Sequence, residues 1–456
     1  MQDAPSQKPI ELPEAPVQRW IAPFARFFHI EAAGGIVLLI CTVIALILAN
    51  SPLAEWYNHI WHIEFVIGLG DWNLAMSLHH WITDGLMTIF FFVMGLEIKR
   101  ELVAGELRDP KKAALPAVAA AGGMLGPALI FLAFQWGTPG AGGWGVPIAT
   151  DIAFVVALVA LFGRRGSAGL KVFVLSLAIA DDIGAVIVIA IWYTAEIAVL
   201  PLVIAVGGFA LTYFFNFIGV RRVPVYVVIG AGIWLAVLHS GVHPTVAGVM
   251  LGLLTPASAW IGNDAFLDIA GRAIRRLRGA NENAPHPEAF STPRERQAVV
   301  GQLANVAAES VSPLERLEVA LHPWVAFIIV PLFALANVGV KVDPAGLGEP
   351  ILIAVALGLF LGKPVGIVVF SYVAVKAGLA RMPEGVTWPV MWGAGCLCGV
   401  GFTMSLLIAS LSLEGNLLEA AKIGVLVGSF LSAVLGAGLL WMVLRPADSA
   451  EVSDDV

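Results

Sequence analysis

The sequence predicts an all-α membrane protein of twelve transmembrane helices, built as inverted repeats, with the fourth and eleventh helices discontinuous. Three observations carry the membrane class and the number of helices, while the interruptions and the repeat rest on Pro147, Gly399 and Gly401 and on motifs along the chain. Hydrophobic residues make up 59% of the 456 and charged residues only 13%, against roughly 25% charged in an ordinary soluble domain. Apolar runs of about 20 residues, the length a bilayer requires, recur along the chain. The basic residues fall between those runs in an alternating pattern. Composition therefore excludes a soluble enzyme or an enzyme on a single anchor, and no basic face suited to nucleic acid is present.

The tail at 1–28 is polar and proline-rich and lacks the apolar core of a signal peptide, so the first apolar run stays as a helix. The spans are expected near 31–50, 81–98, 113–134, 144–162 and 171–193, then 197–219, 223–239 and 242–255, and finally 324–339, 351–375, 390–411 and 417–444. The membrane part is 29–444, and 445–456 is a second tail. Lys and Arg collect on the cytoplasmic side of membrane proteins. With both termini cytoplasmic, all of the 26 basic residues but Lys341, Lys363 and Lys422 fall in tails and cytoplasmic loops. An odd number of spans destroys that alternation. Cys41, Cys396 and Cys398 all lie in apolar stretches, so no disulfide framework is implied.

Two connections are long. Between the first two spans, near 55–78, alternating residues flank a Gly-Leu-Gly-Asp turn and read as an external β-hairpin. An exposed hairpin edge invites a second copy of the chain, and a homodimer through it is expected. Near 258–316 the chain is polar and Arg-rich; 297–320 has helical spacing and 281–293 the composition of a flexible loop. This is expected to be a cytoplasmic insertion without a core of its own.

Polar residues inside the apolar runs are the functional candidates. Asp181 and Asp182 stand together in the fifth run. Each carboxylate there costs at least ~2.5–3.5 kcal/mol, and such groups usually line an ion or proton route. Consecutive residues on a helix point about 100° apart, so the two face different surroundings. A purely structural reading, two acids paired as helix glue, is disfavoured because one Asn does that at lower cost. Lys363, mid-span in the tenth run, needs a partner, and either aspartate can serve. Gly358-Leu-Phe-Leu-Gly362-Lys363 is too short for a phosphate loop, and Pro364 stands where Ser or Thr is required. Pro147 and the glycines before Thr150 and Asp151 disfavour a continuous fourth helix; Gly399 and Gly401 do the same in the eleventh. Interrupted helices in the two halves point to a binding site at their crossing. Asp151 then balances facing positive helix ends, and Lys363 facing negative ones.

Seven motifs together resemble the NhaA-type sodium/proton antiporter family over nearly all the spans: GLEIKRELVAGEL, ATDIAF, LAIADDIGAVIVIA, SGVHPTVAGV, RLEVALHPWVAF, LGKPVGI and CGVGFTMSLLIASL. That family is a standing example of inverted-repeat transporters, so the resemblance implies the same architecture. It further implies Asp181 and Asp182 as carriers of cation and proton, Thr150 and Asp151 at the broken helix, and Lys363 as the intramembrane lysine. Glu97, Arg100, Glu101, His243 and Glu318 match positions of pH regulation. Their plainer reading is charge at cytoplasmic helix ends and, for His243, a buried turn histidine. The insertion is longer than the family pattern, and Glu315 stands where a basic residue is equally plausible.

The function expected is electrogenic, pH-regulated export of sodium or lithium in exchange for protons across a bacterial inner membrane. No cofactor is involved beyond the transported ion, which the carboxylates meet as a hard cation seeking oxygen. An intramembrane aspartyl protease needs a Gly-x-Gly-Asp context, and Ala178-Ile-Ala-Asp181 replaces it. A passive channel does not require a site that binds proton and metal in competition.

Overall fold

Capped helix starts, prolines and glycine contacts decide where this chain runs straight and where it breaks. The computed structural model describes residues 31–69, 72–162, 167–194, 196–220, 222–282, 293–341 and 348–444. Both tails, turn residues 70–71, Arg164, Arg165, Arg221 and most of 281–293 lie outside the described residues. The first helices are α1 (Glu31–Ala49) and α2 (Ala54–His62). Strands β1 (Glu64–Leu69) and β2 (Trp72–Ser77) then pair antiparallel, Glu64 opposite Ser77 and Leu69 opposite Trp72. Next come α3 (Leu78–Val103), α4 (Pro110–Gln135), a 3-10 segment (Pro139–Ile148), α5 (Ile152–Leu161) and α6 (Ala168–Trp192). They are followed by α7 (Val199–Phe217), α8 (Val223–Leu238), α9 (Thr245–Leu254), α10 (Asn263–Glu282) and α11 (Pro293–Glu309). The chain finishes with α12 (Pro313–Asn337), α13 (Pro350–Lys376), α14 (Trp388–Cys398), α15 (Phe402–Ser412) and α16 (Gly415–Val443).

Among the described residues, eight helical segments, with Pro139–Leu161 taken as one, are long and apolar enough to cross a membrane. The bent pairs α1–α2 (114°) and α14–α15 (46°) raise the number to ten; α8 and α9 are apolar but shorter. Large apolar side chains stand exposed along the outside of the bundle, among them Leu200, Phe217, Val228 and Met442. A surface of that kind is covered by lipid, and the chain is an integral membrane protein.

Local chemistry moves some boundaries away from those read in the sequence. The helical stretch expected over 297–320 is divided. Ser312 Oγ accepts the Glu315 N–H (3.2 Å), the Glu315 carboxylate accepts the Ser312 N–H (3.3 Å), and Pro313 fills the first helical position. This capping box starts α12 at Pro313, well before 324, and gives Glu315 a structural task. Pro323, read as a boundary, lies inside α12. Helix α10 was not expected; it packs on α11 through its apolar arc, with Arg272, Arg275 and Arg276 exposed.

Two of the helix prolines leave a mark. Pro331 and Pro364 cannot donate the usual helical bond, and the turn before each widens into a π segment. The Val330 N–H bonds back to Val325 O and the Lys363 N–H to Gly358 O, five residues in each case. Close helix approach is set by small residues. Gly122 and Gly126 of α4 face Gly362 and Gly366 of α13 so tightly that an added Cβ on any of them meets backbone of the opposite helix. Two such small-residue patterns in register bring backbones together, here beside Lys363. Gly424, Gly428 and Gly436 hold α16 against α13 and α14 in the same way.

Candidate functional site

Two interruptions of helical structure meet at the centre of the bundle. On one side the 3-10 segment ends at Ile148, Ala149 is extended, and α5 starts after Asp151. On the other, α14 ends at Cys398 and α15 starts after Gly401. The two are joined through backbone: the Asp151 N–H donates to Val400 O at 2.8 Å. Pro147 sits inside the 3-10 segment, not at the interruption itself. A 3-10 turn suits a stretch with four glycines and two prolines, which cannot sustain an α-helix. Tyr193 clamps this segment, accepting the Gly145 N–H (3.1 Å) and donating to Gly142 O (3.0 Å).

Each interruption leaves unpaired N–H and C=O groups, and side chains take them up. Asp151 Oδ1 accepts the Phe154 N–H (3.1 Å), capping α5. Its Oδ2 accepts the Thr403 N–H (3.1 Å) and hydroxyl (2.5 Å), so one carboxylate serves two helix N-termini. Lys363 Nζ donates to Ile148 O, the last carbonyl of the 3-10 segment. The Thr150 hydroxyl lies 2.9 Å from Cys398 O, the last carbonyl of α14.

Lys363 and Asp181 form an ion pair at 2.6 Å, and the Thr150 hydroxyl is also 2.6 Å from the same Asp181 oxygen, Oδ2. The lysine's partner, left open by the sequence, is thus Asp181. Asp181 Oδ1 and both oxygens of Asp182 are buried without a hydrogen-bond partner among the described residues. All five groups are at most 2% exposed: Thr150, Asp151, Asp181, Asp182 and Lys363. Neither aspartate is open to solvent in this conformation. Three acceptor oxygens beside a compensated carboxylate are what a proton or a hard cation takes up. Among the described residues no cluster of three or more His, Cys, Asp or Glu side chains is suited to a resident metal.

The remaining candidates divide into two groups. Arg100 is ion-paired with Glu318, linking α3 to α12. Glu97 lies one turn before Arg100 on α3, and the Glu101 carboxylate accepts the Glu106 N–H (3.2 Å) just after it. His243 is elsewhere. Its Nε2 is 3.4 Å from Asp84 Oδ1 and its Nδ1 2.6 Å from Thr245 Oγ1, at the start of α9. Asp84 and Glu97 are separated by 13 residues of one helix, about 20 Å of rise, so the five residues do not form one site. Sequence reasoning passed over Asp84, although an acid inside an apolar run is the same signal that marked Asp181. It also passed over Tyr193, whose residue type carries no such signal.

A family model described as Na+/H+ antiporter 1 matches residues 25–440. The Na(+)/H(+) antiporter NhaA of Rhodopirellula baltica is 48% identical over 438 residues, covering 96% of this chain and 98% of that protein. The Na(+)/H(+) antiporter NhaA of Rhizobium meliloti is 45% identical over 435 residues, covering 95% and 98%. The Na(+)/H(+) antiporter NhaA 2 of Sorangium cellulosum is 46% identical over 452 residues, covering 97% and 94%. Among solved structures, the sodium proton antiporter MjNhaP1 from Methanocaldococcus jannaschii aligns at a TM-score of 0.47 and 14% identity, over 93% of this chain and 99% of that one.

Proposed function

The chain belongs to the Na+/H+ antiporter 1 family, and on that premise we propose that it exports sodium, or lithium, in exchange for protons across a bacterial inner membrane. Twelve crossings complete the architecture: the ten apolar segments and bent pairs together with α8 and α9, both termini cytoplasmic, in two inverted halves whose fourth and eleventh crossings are interrupted. The observation that carries the reading is the unequal pair of buried carboxylates. Asp181 is held by Lys363 and Thr150, whereas Asp182 offers two partnerless oxygens beside it.

A sodium ion entering between them is bound by Asp182, by the free Asp181 oxygen and by nearby hydroxyl and carbonyl oxygen. Protonation removes those ligands. Competition for one site, exposed alternately to each side, suffices for exchange. Asp151 and Lys363 neutralise the helix ends that meet at the interruption, so the crossing can rock without baring charge. Glu97, Arg100, Glu101 and Glu318 form a cytoplasmic cluster that sets the pH of activation, and His243 with Asp84 contributes from the opposite end of α3. The hairpin lies outside the membrane and joins two copies edge to edge, Phe65, Val66 and Ile67 standing exposed on β1. Deleting 64–77 then gives monomers by size analysis while exchange persists.

The deciding experiment is proton flux in everted vesicles on adding sodium. Wild-type protein dissipates the proton gradient, and Asp182→Asn does not. Unchanged flux in Asp182→Asn, with the protein present in the membrane, sinks the assigned role.

A further inference from the structure

Helix α15 begins in the middle of the protein and lacks a cap of its own. Its N-cap residue is Gly401, which has no side chain to accept the first N–H groups. An uncapped helix start inside a membrane is costly, because no water reaches its donors. Asp151 takes the Thr403 N–H. The two preceding donors, Gly401 N–H and Phe402 N–H, both go to one oxygen, Ser429 Oγ, at 3.2 Å each. Ser429 lies 27 residues further on, counted from Phe402, in the middle of α16, and is 5% exposed. A hydroxyl oxygen accepts two hydrogen bonds, so both lone pairs are used.

Resting on the antiport reading above, we propose that Ser429 is a positioning residue for ion exchange: a cap supplied in trans by α16 that fixes the interruption between α14 and α15. Its hold bears directly on the site. The three residues between those helices carry Val400 O, which accepts the Asp151 N–H, and follow Cys398 O, which faces Thr150. Helix α16 is the longest described helix, uninterrupted over 29 residues, and the glycines at 424, 428 and 436 seat it closely against α13 and α14. It therefore acts as a rigid post for the mobile crossing. Removing the hydroxyl leaves two donors and an exposed positive helix end facing the carboxylates, which disfavours a bound cation. The consequence falls first on sodium affinity.

The test compares reconstituted Ser429→Thr and Ser429→Val, which match in shape and differ in the hydroxyl, with Ser432→Ala as a control on the same helix. Among the described residues, Ser432 Oγ makes one long hydrogen bond, 3.5 Å to Leu359 O, and caps no helix start. Ser429→Val is expected to raise the apparent KM for sodium about fivefold, the equivalent of a lost cap of ~1 kcal/mol, with the maximal rate little changed. Ser429→Thr and Ser432→Ala stay near wild type. Equal KM in the Val and Thr variants overturns the proposal. Should Ser429→Val not fold, amide exchange in Ser429→Ala decides: faster exchange at 401–402 than in Ser432→Ala supports the cap, and equal protection removes it. If the wild-type protein shows no sodium-driven proton flux, the antiport reading has failed instead, and the amide arm still judges the cap.

Discussion

Asp181 and Asp182 are neighbours in sequence and opposites in environment. Asp181 Oδ2 has an ammonium and a hydroxyl, both at 2.6 Å, while Asp182 has no hydrogen-bond partner among the described residues. The same step along a helix that separates their directions by about 100° gives the two carboxylates different surroundings. A buried pair broken on one side leaves an uncompensated charge, at a cost of roughly 3–5 kcal/mol, whereas replacing both members is often neutral. Lys363→Met should therefore lower the thermal unfolding temperature of the purified protein markedly, and Lys363→Met with Asp181→Asn should recover most of the loss. If the double variant is no more stable than the single one, Lys363 is not held in place by Asp181. Such residues were legible in the sequence because an ionisable group in an apolar run has few ordinary explanations. Ser429 and Tyr193 were not, because serine and tyrosine occur in helices without any such cost. Their importance lies in which donors of another segment they meet, and no local pattern records that.

At the scale of elements, the interruptions depend on how closely their neighbours approach. The Lys363 side chain reaches Asp181 because α13 lies directly on α4, glycine against glycine, one turn from the π segment ahead of Pro364. A large residue there forces the helices apart. Gly366→Leu is expected to destabilise the fold by roughly 1–3 kcal/mol, the usual range for overpacking, and to reduce exchange by moving Lys363 away from Asp181. Thermal unfolding and sodium-driven proton flux measure the two effects; full stability in Gly366→Leu contradicts the close packing. Spans without such breaks were placed from sequence to within a few residues, as with 171–193 against Ala168–Trp192 and 223–239 against Val223–Leu238. The start of α12 was missed because the apolar run begins only near 324, whereas the Ser312–Glu315 capping box that starts the helix lies in the polar stretch before it. In a helix packed on its neighbours, an interior proline such as Pro323 is tolerated. The α12 cap is itself testable: Ser312→Ala should cost about 0.5–2 kcal/mol in unfolding free energy and loosen the Arg100–Glu318 pair it positions.

For the whole molecule, the arrangement of charge determines what the membrane potential can do. The Lys363–Asp181 pair is neutral as it stands, and Asp182 adds one negative charge when ionised. In the proposed cycle one sodium ion neutralises that site. Taking up protons on both aspartates in its place carries one more positive charge on the return than sodium carries outward. Two protons entering for each sodium leaving therefore move one net positive charge inward, the direction an inside-negative potential favours. Each net charge moved through 100 mV gains about 2.3 kcal/mol, equivalent to roughly a 50-fold sodium gradient. An exchanger of one proton for one sodium gains nothing from the same potential. The distinction is measurable in proteoliposomes with the pH equal on both sides and the potential set by a potassium gradient and an ionophore. Sodium extrusion against its gradient should follow the imposed potential and vanish when it is clamped at zero. Extrusion that ignores the potential would mean that one aspartate keeps its proton throughout the cycle, and that Asp182 alone exchanges sodium for a single proton.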